Sequence, residues 1–405
     1  MFDAHFFFIS ILNVLILVFS VSLITQLFHL PYNVALVLGG LLASIVTSIS
    51  IPSFPPDFFL TLLLPPVIFQ SASHIHLNDL KKDANIIFSY ALIGTFLSSI
   101  LLGYFTHFLF DLSLIEGLLL GTIISPTDPI SVIETLKSLG VEKRLTLIID
   151  GESLFNDGVA VVLFTAIIKS FTTGVFTLSD VILRIILSVA IGVAVGCVIG
   201  YSIYRILIIL KIFSAITRGR VDLDKFMLVT ITIIAMYGSY QIAEFFHGSG
   251  IACVACASII ISHFRSEILP QSDVEYVDII WEFITFILSS VSFVLLGLNL
   301  ETSFLIKYVS LIMLTVLLVL ITRALTIYGI SQIINFKKIM ISRTWQNVII
   351  LSGLRGVISI MLALGLHNLP IQHANEIIAI TYGVVLFSIL IQGVSISFFI
   401  EKLKI

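Results

Sequence analysis

The sequence predicts an all-α polytopic membrane protein of about thirteen transmembrane helices, and three observations carry that prediction. Of 405 residues, 58% are apolar and only 11% charged, against roughly 25% charged in a soluble protein; the mean hydropathy is +1.16. The apolar residues fall in continuous runs that meet the ~17–25 residues a spanning helix needs, not in the alternating ten-residue segments of a β-barrel. The basic residues lie almost wholly on one side of those runs. This composition excludes a soluble enzyme and a disordered chain. A net charge of −3 with no basic stripe excludes a nucleic-acid binder.

In order, the runs cover about 6–27, 32–49, 57–72, 84–110, 114–136, 145–171, 179–210, 224–246, 248–263, 274–298, 304–335, 345–366 and 376–400. The first has neither the basic n-region nor the small-residue cleavage site of a signal peptide, so it reads as a span. The second is Gly-rich and the ninth short. With the N-terminus outside, fifteen Lys and Arg fall in inner loops and three (Lys169, Arg184, Lys307) in outer ones. That asymmetry predicts an N-out, C-in chain in the cell membrane. Only about five residues follow the last span, so no cytosolic regulatory domain is expected. Cys197, Cys253 and Cys256 all sit in apolar stretches and read as small buried packing residues.

Charge at the bilayer centre costs at least about 2.5–3.5 kcal/mol, so each buried ionisable residue needs a reason. Asp128 in the fifth span, Asp157 in the sixth and Arg355 in the twelfth fall near the midplane, at depths of roughly 15–21 Å by the helical rise. The fifth span reads Ser125-Pro126-Thr127-Asp128-Pro129, and two prolines remove two amide donors and break the helix. The twelfth is interrupted at Gly353-Leu354-Arg355-Gly356. Broken spans at matching positions of two halves point to two inverted-topology six-helix repeats crossing at the midplane. In the sixth span Ser153 and Asp157, four apart, share one face. Glu152 and Asn156 share the neighbouring one, which places Glu152 to pair with Arg355. Glu282 and Arg323 are placed as a second ion pair. These hard oxygens suit Na⁺, K⁺ or Li⁺. No nucleophile–base pair, zinc motif or phosphate loop points to an enzyme, and no cofactor is expected.

The run SPTDPISVIETLKSLGVEKRLTLIIDGESLFNDGVAVVLF (125–164) resembles the monovalent cation/proton antiporters of the NhaP–NHE type. So do LLLPPVIFQSA (62–72), GSGIACVACASIIISH (248–263), FVLLGL (293–298), LSGLRGVISIMLALGL (351–366) and LFSILIQGVSI (386–396). The resemblance spans nearly the whole chain in order. It implies cation ligands at Asp128, Asp157, Ser153 and the carbonyl of Thr127, with protons carried by Asp157 and Asp128. It implies a supporting network of Asn156, Glu152 and Arg355. The Asn156–Asp157 pair resembles the electroneutral branch, exchanging one proton for one cation. A homodimer embedded in lipid is implied, with a core bundle (about 57–171 and 274–298, with 304–400 in part) moving against dimer or scaffold helices (about 6–49 and 179–263 in part), all within one domain, 1–405.

One position departs from the family pattern. Gln70 stands where an acidic residue usually follows LPPxxF, which keeps K⁺/H⁺ exchange open beside Na⁺ or Li⁺ exchange. A gated cation channel would favour repeated filter loops, and a non-transporting sensor would need an output domain.

Overall fold

The computed structural model describes residues 4–28, 32–46, 59–128, 132–133, 136–137, 139–173, 178–216, 224–298, 302–336, 341–366 and 369–403. All their regular structure is helical. In chain order it comprises α1 (Ala4–Phe28), α2 (Tyr32–Val46), α3 (Leu64–Ser73), α4 (Leu77–Leu109), α5 (Leu114–Ile124), α6 (Lys143–Thr173) and α7 (Leu178–Ile216). Then follow α8 (Lys225–Phe245), α9 (Gly250–Ile268), α10 (Gln271–Leu298), α11 (Val309–Phe336), α12 (Arg343–Leu351), α13 (Val357–Leu364) and α14 (Ala374–Ile400), with short helical pieces at Phe59–Leu63 before α3 and Thr302–Lys307 before α11. Each predicted apolar run carries helix. Among the described residues nine helices are long and apolar enough to cross a membrane, so this is a multi-pass membrane protein. Pro129 and the run edges at 47–49 and 57–58 lie outside the described residues.

Local chemistry sets the helix limits. α3 follows directly on a π-helical turn, Phe59–Leu63, and the change of helix type falls at Pro65 and Pro66, which cannot donate to the turn before them. α5 opens on a capping box in which Ser113 and Glu116 bond each other's backbone, satisfying two orphan donors. α4 begins seven residues earlier than its apolar run, because Asp79 pairs with Lys82 and Asp83 with Arg144, so a polar turn adds to the helix. α9 runs on to Ile268, where buried Arg265 pairs with Asp278 of α10.

Small residues bring backbones together. A Cβ on Gly121 of α5 would collide with the Ser99 carbonyl of α4, and one on Gly196 of α7 with the Cys253 carbonyl of α9. Close backbone approach is the usual source of helix affinity in lipid, where no hydrophobic gain separates helix from tail. Cys253 is buried by this packing, but Cys197 is exposed, its Sγ 3.4 Å from that of Cys256; the expectation of three buried cysteines fails because α7 turns much of its surface outward. Only 11% of the α7 spanning window is buried, against 61% for α6. α6 is therefore the most enclosed long helix, and it carries the polar cluster of the sixth span.

Candidate ion-binding site

The fifth and twelfth spans are interrupted where the sequence places the breaks. α5 ends at Ile124 and residues 125–128 are non-helical; α12 ends at Leu351 and α13 starts at Val357. Backbone groups freed inside a membrane must find partners within the protein, and several do so across the two breaks. The Ser125 and Pro126 carbonyls accept from Arg355 Nη1 (2.5 and 3.1 Å). The Thr127 amide donates to Asn156 Oδ1 (3.4 Å), and its carbonyl accepts from the Ser153 hydroxyl. The Asp128 amide donates to the Leu354 carbonyl (2.8 Å), joining one interrupted segment to the other. On the far side α14 contains a π-helical turn, Ser388–Gln392. From it Ser388 Oγ accepts from the Arg355 amide (2.9 Å) and Gln392 Nε2 donates to the Leu351 carbonyl (2.9 Å). A π turn at such a place matches the usual link between π-bulges and functional sites.

Around the crossing lies a cavity of about 70 Å³, whose lining includes Asp128, Asp157, Ser153, Thr127, Ser71 and Ser359. That space can hold several waters or a partly hydrated ion. Both carboxylates open onto it, and the charge of Asp128 acts on Asp157. Asp157 is 8% exposed, and its Oδ1 is buried without a hydrogen-bond partner. Asn156 Nδ2 donates to Thr127 Oγ1 (2.7 Å), so Asn156 fixes the Thr127 peptide from both sides. The site therefore offers two carboxylates, hydroxyls and a carbonyl, the hard-oxygen donors that suit an alkali cation. Among the described residues no group of three His, Cys, Asp or Glu converges as a metal site.

Three expectations are corrected. Glu152 does not pair with Arg355. It binds Arg323 through both oxygens (2.5 and 3.1 Å), and the Arg323 Nη2 also donates to the Ile349 carbonyl (3.1 Å). Arg323 is thereby committed to Glu152 and not to Glu282. Arg355 instead braces the carbonyls of the first break. The reason is packing: α11 lies against α4 and α12, and the absence of a side chain at Gly353 leaves room for the Arg323 guanidinium, which a Cβ there would meet at 2.8 Å. Gln70 is absent from the cavity lining; its Nε2 lies 2.9 Å from His74 Nε2. Sequence reasoning also passed over Ser71, Ser359 and Ser388. All three lie within quoted motifs, and for Ser359 its place just after the second helix break was the available signal.

Interrupted helices crossing beside two carboxylates that share a cavity are the architecture of a membrane ion transporter. The chain matches the family described as sodium/hydrogen exchanger, transmembrane, over residues 14–402, and it belongs to that family. It is 35% identical over 401 residues to the Na⁺/H⁺ antiporter ApNhaP of Aphanothece halophytica, covering 98% of this chain and 74% of that protein. It is 30% identical over 420 residues to the Na⁺/H⁺ antiporter NhaH of Halobacillus dabanensis, covering 98% of each. Its fold is similar to that of the sodium proton antiporter MjNhaP1 from Methanocaldococcus jannaschii, with a TM-score of 0.77, 20% identity, and 98% and 99% of the two chains covered. The chain is a transporter, not an enzyme.

Proposed function

We propose that the chain exchanges Na⁺ or Li⁺ for H⁺ electroneutrally by alternating access, with cation and proton competing for Asp157 and Asp128. One observation carries this reading: Asp157 Oδ1 is buried, has no hydrogen-bond partner, and faces the same cavity as Asp128. A buried carboxylate oxygen without a donor calls for a partner of its own, and a proton or a cation supplies one.

The exchange follows from charge. A cation binds the carboxylates together with the Ser153 hydroxyl and the Thr127 carbonyl, and the proton leaves. At low pH a proton takes the place of the cation. Either occupant reduces the net charge of the site, so the loaded site crosses the low-dielectric barrier. The empty site carries uncompensated charge, whose burial costs several kcal/mol, on the order of 2.5–3.5 or more, and it stays where it is. That asymmetry couples the two fluxes. Asn156 and Arg355 hold the non-helical segment to shape, and Glu152 with Arg323 ties α6 to α11.

In the same reading the segments 57–171, 274–298 and part of 304–400 form the moving core, and 6–49 with part of 179–263 form the scaffold and the homodimer face, the N-terminus outside. K⁺/H⁺ exchange is the second reading: Gln70 stands where the family pattern has an acidic residue, and Asp128 and Asp157 are the carboxylates that line the cavity. In proteoliposomes carrying a pH gradient, Na⁺, Li⁺, K⁺ and Rb⁺ added in turn should separate the two. Native-rate exchange by Asp157→Asn would end both.

A further inference from the structure

Buried hydroxyls in the helices of this chain generally donate back to a carbonyl three or four residues earlier, as Ser352 does to Ile349 (3.0 Å), Thr326 to Thr322 (2.9 Å) and Thr381 to Ile377 (2.8 Å). Such back-bonding is the default for Ser and Thr in helices. Ser359 does not follow it. It is the third residue of α13, so the carbonyls it would need, at 355 and 356, belong to the break and not to a helical turn. Its side chain is 0% exposed, its Oγ has no hydrogen-bond partner, and it lines the cavity that Asp157 and Asp128 share. Ser99 and Thr122 also hold buried hydroxyls without partners, but neither lines that cavity.

Two residues that each hold an unpartnered buried oxygen, Ser359 (Oγ) of α13 and Asp157 (Oδ1) of α6, thus line one small space. We infer that Ser359 is a further ligand of the transported cation, contributed by the second interrupted segment and acting directly or through one water. The inference rests on the antiport reading and deepens it. Ser153 and Thr127 supply neutral oxygens from α6 and the first break; Ser359 supplies one from the second. A cation so held touches both interrupted segments, and the neutral oxygens around it help set which ion fits.

The test compares wild type with Ser359→Ala and Ser359→Thr in proteoliposomes and in detergent. Ser359→Ala should raise the KM for Na⁺ and Li⁺ about three- to tenfold, the effect of one lost neutral interaction, with kcat at saturating cation within about twofold. Ser359→Thr, which keeps the hydroxyl, should restore most of the affinity. Thermal unfolding separates this from a structural role. Without Na⁺, Ser359→Ala should melt no lower than wild type, because a methyl group replaces an unpaired hydroxyl. The rise in Tm on adding Na⁺ should shrink, since it measures cation affinity. A Ser359→Ala protein with unchanged KM and an unchanged Na⁺-induced Tm rise overturns the inference. So does one whose Tm falls without Na⁺ while KM stays constant. A wild type lacking cation-driven proton flux would overturn the antiport reading itself.

Discussion

The Asp128 amide donates to the Leu354 carbonyl at 2.8 Å, so the two interrupted segments hold each other through their backbones beside a carboxylate. The next residue but one, Gly356, has no room for a side chain: a Cβ there would collide with Asp128, reaching its Oδ2 at 2.7 Å. Gly356→Ala should therefore displace Asp128, lower stability by about 1–3 kcal/mol as overpacking does, and cut cation-driven exchange at least tenfold. Thermal melts and proteoliposome flux on the same preparation check both effects.

Glu152 and Arg323 form a buried bidentate pair with side-chain exposures of 2% and 9%. Removing one partner of such a pair leaves a stranded charge and costs about 3–5 kcal/mol, whereas replacing both is far milder. Arg323→Met alone should be severely destabilised, and Arg323→Met with Glu152→Gln should recover much of the loss. A double-mutant cycle should give a larger coupling for Glu152 with Arg323 than with Arg355. The reverse order would restore the pairing expected from sequence.

Asn156 holds Thr127 through the amide and the hydroxyl at once. Asn156→Ala should free the Thr127 peptide and raise the KM for Na⁺ by about three- to tenfold, with a smaller change in stability. Titrating exchange against Na⁺ at fixed pH reads this directly. A KM within twofold of wild type would show that Thr127 keeps its place without Asn156.

Competition between one proton and one cation fixes the form of the pH dependence. Below the apparent pKa of the coupled carboxylates, the KM for Na⁺ should rise roughly tenfold per pH unit while kcat at saturating Na⁺ holds steady. A KM independent of pH across the acid limb would contradict shared occupancy of Asp128 and Asp157.

Gln70 turns to His74 and away from the cavity. Burial holds the His74 ring below its ordinary pKa, partly offset by Asp278 and Glu282, while Lys137 and Arg265 add to the lowering. Its unfolded form thus binds the proton more tightly, so this residue adds stability as pH rises through the interval between the folded and unfolded values and loses it as pH falls. A carboxylate at 70 should raise the pKa of His74. Gln70→Glu is expected to reduce that acid-side loss of stability and to change the KM for Na⁺ less than about twofold. A large gain in Na⁺ affinity would instead place residue 70 at the ion.

The chain alone determined that this is a membrane bundle, where its runs of helix lie, and which residues meet near the midplane. Hydropathy and the 3.6-residue period are local properties, and they fix depth along a span and the face a residue shares; Pro126 and the Gly353–Gly356 segment fix where helices stop. Partners across helices were decided only in three dimensions. Glu152 had two arginines within reach of its depth, and the approach of α11 beside Gly353 selected Arg323. Gln70 pointed along one of several rotations of α3, and packing turned it to His74. Ser359 reads as an ordinary helical serine until the break before Val357 removes the turn it would have bonded. Such choices depend on how helices rotate and dock, a property shared by the whole bundle and written in no single segment.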